Sequence, residues 1–405
     1  MKKFNKFLSV AVASAMVMSM AGCGNTDNGS AAAGTNAATE SAAGDNGAAA
    51  GSVFKIGGIG PTTGGAAVYG LAVQHGAEIA VEEINAAGGI NGYQVEFKFQ
   101  DDEADAEKSV NAYNALKDWG AQIIDGSTTS GACIAVTDKT KEDNMFQITP
   151  SGSAVECVQY DNNFRVCFSD PNQGLASAQY IGENGLAEKV AVIYDSSDVY
   201  SSGIYEKFAK EAENQPFEVV AAEAFTADNK TDFSVQLQKA KDAGADMVFL
   251  PIYYQESALI LTQAAAMGYA PKWFSCDGMD GILGGVDNFD VSLTEGVMLL
   301  TPFAADATDD LTKSFVSKYK EKYGETPNQF AADSYDAIYV IKAAIEKSGV
   351  TPDMSVSDIC DGMKAAMTEI TVDGLTGNGM TWTADGEANK APKAVVIENG
   401  AYKAM

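Results

Sequence analysis

From residue 53 onward, short apolar runs alternate strictly with stretches that carry the 3.6-residue periodicity of helices. Several runs are apolar at nearly every position, as at residues 190–194 and 247–250. Strands of this kind are buried on both faces, and strict strand–helix alternation is typical of parallel sheets covered by helices on both sides. The pattern therefore predicts an α/β fold built from doubly wound, Rossmann-like sheets.

The alternation also predicts two lobes. Roughly 350 residues follow residue 52, which is more than one hydrophobic core usually serves. One strand–helix series ends near residue 167, and a second begins at residue 189. The chain after residue 301 is helical and is expected to pack back on the first lobe. The predicted lobes are residues 53–170 plus 302–386 and residues 171–301 plus 387–405. The chain would cross between them three times, and these crossings would form a hinge.

The amino terminus has the layout of a secretory signal. Three lysines precede a charge-free apolar run at residues 7–22, which is too short to cross a bilayer comfortably as a helix. Residues 20–23, Met-Ala-Gly-Cys, resemble a lipobox. We therefore predict a signal peptide at residues 1–22 and a lipid on Cys23, the first residue of the mature chain. The alternative is an ordinary cleavage site in which a cysteine happens to fall.

Residues 23–52 are almost entirely Gly, Ala, Ser, Asn and Thr with a few acids. Such a segment cannot bury a core, so we predict a disordered tether. A flexible coil of this length spans roughly 30 Å. This predicts an extracytoplasmic protein, anchored to the cell membrane as a lipoprotein and held off its surface.

The charge excludes one class of partner. The formal net charge is −28, and removing residues 1–22, which hold three lysines and no acid, makes it about −31. A chain this acidic repels nucleic acid, so no nucleic-acid binding is expected. Arg165 is the only arginine, which leaves little scope for guanidinium clamps on anionic ligands.

Besides Cys23, the chain has five cysteines, an odd number. Outside the cytoplasm, Cys157 and Cys167 are the candidate disulfide, which would close the loop at residues 158–166. The other cysteines would then be free and buried: Cys133, Cys276 and Cys360. Because there is no Cys-x-x-Cys and only one histidine, His75, no metal site is predicted.

Polar residues collect where the predicted strands end, and ligands of open α/β sheets bind at those ends. In the first lobe, these segments carry Gly, Ser and Thr just before helices, which suits a carboxylate. They are residues 60–70, 126–131 and 150–153. In the second lobe, they carry tyrosines and acids, which suit an ammonium and an apolar group. They are residues 195–200, 251–256 and 276–278. Facing each other, the two sets suit an α-amino acid, although single Ser and Thr residues before helices are most often N-caps.

Four segments, residues 60–70, 84–92, 148–150 and 195–200, resemble the leucine/isoleucine/valine-binding protein family. These proteins are type I solute-binding proteins of ATP-driven amino-acid importers, and the resemblance covers nearly all of residues 53–405. It implies the type I periplasmic-binding-protein fold, with two Rossmann-like lobes joined by three crossings and closing on the ligand.

The resemblance also implies roles for individual residues. Ser130 and Ser153, with backbone near Ser151, would hold a ligand carboxylate. Asp277 would hold the ammonium, although the family often has glutamate there. The aromatic residues that would line the pocket are Tyr69, Tyr200, Tyr253 and Phe330. The sequence departs from the family in two ways. The family disulfide is absent at the corresponding loops, and the segment before Tyr200 is longer by a residue.

By this resemblance the chain is a monomeric receptor that delivers a small, branched or otherwise apolar amino acid to an ABC permease and its ATPase subunits. No cofactor is expected. An enzyme is not expected either, because His75 lies in a predicted helix and no G-x-S-x-G occurs. A sensor of the same fold, or a binder of a short amide or an aromatic acid, is the alternative.

Overall fold

The structure is a computed structural model and describes residues 51–405. The predicted signal peptide at residues 1–22, the lipid on Cys23 and nearly all of the tether lie outside the described residues.

The first sheet is parallel throughout. Its strands are β1 (Val53–Gly60), β2 (Gln94–Asp101), β3 (Ile123–Asp125), β4 (Phe146–Thr149) and β5 (Asn163–Arg165). They lie in the order β2-β1-β3-β4-β5, so the chain begins near the middle of the sheet and winds outward in both directions. The helices between them are α1 (Ala67–Ala86), α2 (Ala106–Trp119) and α3 (Ser130–Asp143). The carboxyl ends of all five strands consequently open on one edge.

The second sheet has seven strands. They are β6 (Lys189–Asp195), β7 (Glu218–Phe225), β8 (Met247–Leu250), β9 (Lys272–Ser275), β10 (Met298–Thr301), β11 (Lys393–Glu398) and β12 (Ala401–Ala404). Their order is β12-β11-β10-β9-β8-β6-β7; the last two strands of the chain are antiparallel and the others parallel. The helices of this part are α4 (Asp170–Glu183), α5 (Val199–Ala212), α6 (Ser234–Asp242) and α7 (Tyr254–Ala266). All four residues of β8 are fully buried, as their continuous apolar run predicts.

After β10 the chain returns to the first sheet. The later helices are α8 (Asp310–Tyr323), α9 (Gln329–Ser348) and α10 (Val356–Met367). Helix α9 packs along α1, and its Ser334 Oγ donates a hydrogen bond of 3.1 Å to Asp125 Oδ2 in β3. Asn328 caps α9 by accepting a hydrogen bond from the Ala331 N–H, and Gly349 ends it with a φ of 70°.

Candidate functional site

A small cavity lies among residues that follow the carboxyl ends of strands in both sheets. Its lining residues are Tyr69, Thr128, Thr129, Ser130, Ser151, Tyr200, Tyr253, Asp277, Gly278 and Phe330. The enclosed space is about 20 Å³, which is room for about one water molecule. A larger solute therefore requires the walls to move apart. Seven of the eight predicted ligand-binding residues meet here, and the exception is Ser153.

Five lining side chains share one local position, at the N-cap or in the first turn of a helix. They are Tyr69 in α1, Ser130 in α3, Tyr200 in α5, Tyr253 before α7 and Phe330 in α9. In a doubly wound sheet, each strand is followed by a helix whose first turn faces the sheet edge, so these side chains converge. The first-turn N–H groups lack helical partners, which makes the cavity favourable for an anion.

The first-sheet wall carries hydroxyl groups. Ser130 Oγ accepts hydrogen bonds from the N–H groups of Ser153 (3.1 Å) and Ala154 (3.2 Å), so its own proton remains available to donate. Ser153 thus lies behind Ser130 rather than in the cavity wall. Thr129 Oγ1 is buried and has no hydrogen-bond partner among residues 51–405. The wall therefore offers an anion two hydroxyl donors, one of which, that of Thr129, was missed from the sequence.

Arg165 holds the segment behind this wall. The side chain is fully buried, and its Nη1 donates a 3.2 Å hydrogen bond to the carbonyl of Gly152 and another to that of Ser153. Its Nη2 donates a 2.9 Å hydrogen bond to the carbonyl of Ala154, and its Nε lies 3.3 Å from Glu387 Oε2. The guanidinium therefore fixes the loop after β4 without lining the cavity.

The second-sheet wall carries a buried carboxyl group. Asp277 Oδ1 accepts a 2.6 Å hydrogen bond from the Tyr200 hydroxyl, and the Asp277 N–H donates to Gln173 Oε1 at 3.3 Å. Burial raises the pKa of Asp277 to about 7, although the hydrogen bond that the carboxyl group accepts from Tyr200 acts in the opposite direction. A carboxylate in this position favours a cationic partner, because pairing offsets the cost of its desolvation.

Aromatic rings fill the space between the two walls. The Tyr69 ring lies 4.4 Å from that of Phe330 and 5.5 Å from that of Tyr253, and Tyr200 stacks on Tyr253 at 5.0 Å between centroids. The Tyr69 hydroxyl also donates a hydrogen bond to the Gly278 carbonyl and accepts one of 3.2 Å from the Tyr254 N–H. Tyr69, in the first-sheet helix α1, thus connects directly to the first residue of α7 and to the turn after β9 in the second-sheet part of the chain.

A wider cavity of about 350 Å³ shares the Tyr253 wall. Its ionisable lining residues are Glu103, Asp195, Asp198, Lys230 and Glu256. Lys230 Nζ lies 3.1 Å from Glu256 Oε1, so part of this charge is neutralised locally. A charged wall does not suit an apolar group. We therefore expect the apolar part of a ligand to lie in the smaller cavity, against the aromatic rings that surround Tyr253 there.

The predicted disulfide between Cys157 and Cys167 stays a prediction. Both thiols are free and buried in the structure, as are those of Cys133, Cys276 and Cys360. Cys157 lies in the 3₁₀ turn Val155–Val158, before β5, and packs against Cys133 of α3. Cys167 follows β5 and is not part of the buried cluster that Cys133 and Cys157 form with Ala154.

Within residues 51–405, no group of His, Cys, Asp and Glu side chains has an arrangement that could hold a metal ion. The same part of the chain contains no helix that is both long and apolar enough to span a membrane.

Residues 53–401 match the family model described as periplasmic binding protein. The chain belongs to this family. Proteins of this family are extracytoplasmic, which confirms the prediction of an extracytoplasmic location. The predicted resemblance is confirmed as well, because curated relatives are Leu/Ile/Val-binding proteins.

Two relatives and one solved structure illustrate the similarity. The chain is 32% identical over 301 residues to Leu/Ile/Val-binding protein homolog 3 of Brucella melitensis, covering 74% of this chain and 80% of the relative. It is 30% identical to the leucine-, isoleucine-, valine-, threonine- and alanine-binding protein of Pseudomonas aeruginosa, covering 73% of this chain and 79% of the relative. These proteins bind solutes, which confirms the prediction of a binding protein rather than an enzyme.

The solved structure is the branched-chain amino acid transporter substrate binding protein LivJ of Streptococcus pneumoniae, in complex with isoleucine. It is 29% identical, with a TM-score of 0.78, and the match covers 87% of this chain and 98% of LivJ. Together with the parallel sheets, this match confirms the predicted type I periplasmic-binding-protein fold.

Proposed function

We propose that this chain is a lipid-anchored extracellular receptor that captures an amino acid with a branched or other apolar side chain. The ligand would be enclosed between two hinged lobes, residues 53–170 plus 302–386 and residues 171–301 plus 387–405. A monomeric receptor would then deliver it to an ABC permease driven by its ATPase subunits. The predicted lipid on Cys23 would provide the anchor, and palmitate labelling that persists after Cys23→Ala would contradict that part.

One observation carries the proposal: a buried carboxyl group that follows β9, Asp277, lines the same cavity as the hydroxyls of Thr129 and Ser130 at the start of α3. The first wall suits a carboxylate and the second suits an ammonium, and the two walls belong to different sheets. The aromatic rings between them suit an apolar side chain. The ligands named for the relatives and for LivJ are of this class.

The energetics are consistent with such a ligand. Hydrogen bonds to charged groups contribute roughly 1.5–3 kcal/mol each. A micromolar complex needs about 8 kcal/mol, so both charged ends and the apolar contacts must contribute.

Titration calorimetry on the purified protein tests the proposal. Isoleucine, leucine and valine are expected to bind at micromolar concentration or tighter. N-acetyl-leucine, which lacks the ammonium, and leucinamide, which lacks the carboxylate, are expected to bind at least tenfold more weakly. Binding of benzoate or acetamide in place of all the amino acids would overturn the ligand class and favour the alternative binder.

Closure of the lobes is expected to depend on Gly285. A Cβ added there would lie 2.6 Å from Val68 Cγ2 of α1 and 2.8 Å from the Gly281 carbonyl oxygen. Gly285→Ala should therefore destabilise the closed form by about 1–3 kcal/mol and weaken binding about tenfold. Gly284→Ala is the matched control, because its added Cβ meets nothing within 4 Å. Equal affinities of the two variants, measured by calorimetry, would contradict this role of Gly285.

Binding is also expected to depend on pH. Because burial raises the pKa of Asp277 to about 7, acidification protonates the free site and removes the partner of the ammonium. Affinity should fall about tenfold between pH 7.5 and pH 6. Two other buried carboxyl groups influence Asp277: Asp170, whose pKa burial also raises, and Asp333, which pairs with Lys390 Nζ at 2.6 Å. Calorimetry on Asp277→Asn isolates the contribution of the Asp277 carboxyl group to this pH dependence. The affinity of that variant should be the same at pH 7.5 and at pH 6.

A further inference from the structure

Two cysteines lie against each other directly behind the hydroxyl-bearing wall. Cys133 of α3 and Cys157 of the 3₁₀ turn Val155–Val158 form a small buried cluster with Ala154. Cys157 Sγ lies 3.7 Å from the carbonyl oxygen of Ser130, in the helical turn that leads to Cys133. A Cβ added to Gly152 would lie 3.1 Å from Cys133 Sγ. The two thiols therefore lie between the first turn of α3 and the loop after β4.

The other described cysteines have different surroundings. Cys276 Sγ lies 3.5 Å from Ser177 Oγ in the second-sheet part of the chain. Cys360 Sγ lies 3.5 Å from Asn144 Oδ1, at the end of α3 that is remote from Cys133. Cys167 follows β5 and is buried. The odd number of cysteines thus divides into one adjacent pair and three thiols in separate places.

We propose that Cys133 and Cys157 form a disulfide in the exported protein. The inference rests on the extracytoplasmic location of the family, where disulfides form and persist, and not on the identity of the solute. The bond would tie the first turn of α3, which carries Ser130, to the turn after the loop that Arg165 holds. It would thereby fix the two chain segments that build the hydroxyl-bearing wall.

The reaction needs an oxidant, which we assign to a disulfide-bearing oxidoreductase or a small-molecule disulfide, acting while the chain folds and the thiols are accessible. The Cys133 thiolate attacks one sulfur of that disulfide, forms a mixed disulfide and releases the other sulfur as a thiolate. The Cys157 thiolate then attacks the Cys133 sulfur and displaces the second oxidant sulfur. The two cysteines lose two protons and two electrons in total, and the oxidant is reduced to two thiols.

The position of Cys133 favours it as the attacking group. It lies in the first turn of α3, and helix N-termini favour thiolates. Once the chain is folded, a hydrogen bond from the Cys157 thiol lowers the pKa of Cys133 and outweighs the opposite effect of burial, with a smaller contribution from the charge of Arg165.

Mass spectrometry on the exported full-length protein tests the bond. The protein is unfolded at harvest in the presence of N-ethylmaleimide, digested without reductant and mapped. We expect the peptides of Cys133 and Cys157 to be joined, with a mass two hydrogens below their sum, while Cys276 carries the label. Labelling of both Cys133 and Cys157, or a link between Cys157 and Cys167, would overturn the proposal.

Cysteine variants distinguish this disulfide from nonspecific oxidation of thiols, and they test its effect on thermal stability. Cys276→Ser should retain the linked peptides, whereas Cys157→Ser should lose them and leave Cys133 labelled. Reduction of the wild type should lower the melting temperature by about 5 °C and leave that of Cys157→Ser unchanged. Equal melting temperatures of the reduced and oxidised wild type would overturn the stabilising role. None of these measurements involves a ligand, so failure here is distinct from failure of the proposed function.

Discussion

Asp277→Asn is expected to weaken amino-acid binding about 100-fold while leaving the protein folded. The substitution keeps the size of the side chain and its ability to accept the hydrogen bond from Tyr200, but it removes the charge that would pair with the ligand ammonium. Losing one partner of a buried charge pair costs about 2–5 kcal/mol in a complex. Titration calorimetry with isoleucine at pH 8 measures the loss.

Stability distinguishes this effect from misfolding. Since burial raises the pKa of Asp277 to about 7, its ionised form opposes folding at pH 8, and the neutral asparagine should melt at or above the wild-type temperature. Asp228→Asn, an exposed substitution with the same change in charge, is the control and should leave affinity unchanged. An Asp277→Asn affinity within threefold of the wild type would remove Asp277 from the binding site.

Arg165→Met is expected to lower the free energy of unfolding by about 3–5 kcal/mol. The methionine can occupy much of the same volume, but it leaves the carbonyls of Gly152, Ser153 and Ala154 without their guanidinium donor. Glu387, whose Oε2 lies 3.3 Å from the guanidinium Nε, also loses its positive neighbour. Urea denaturation measures the change.

The control for this prediction is Lys139→Met, which removes one positive charge from the exposed ion pair with Glu142. Exposed pairs contribute little, so its unfolding free energy should stay within about 1 kcal/mol of the wild type. If Arg165→Met changed stability as little as this control, the buried guanidinium could not be what holds the loop after β4.

Strands could be predicted from the sequence only where their residues form a clear apolar pattern. β8 was predicted because its continuous apolar run is buried on both faces. β5 was missed because Asn163 and Arg165 are polar, although both are fully buried and bonded in the structure. β12 was missed because it is a short, mostly exposed edge strand with no apolar pattern.

The same reasoning applies to the candidate site. Residues at strand exits, such as Ser130 and Asp277, could be predicted because parallel topology brings all such exits to one edge. The structural role of Arg165 could not be predicted because three of its four partners are backbone carbonyls, which leave no trace in the sequence. The pairing of Cys157 with Cys167 followed from short spacing, whereas its structural neighbour is Cys133, which lies in another element.

A crystal structure of the protein grown with isoleucine is the most direct test of how the cavity works. We predict that the bound ammonium lies within hydrogen-bonding distance of the Asp277 carboxylate, and that the bound carboxylate accepts from the hydroxyls of Thr129 and Ser130. The side chain should lie against the rings of Tyr69 and Phe330. Isoleucine bound in the reverse orientation, or in a different cavity altogether, would contradict the account.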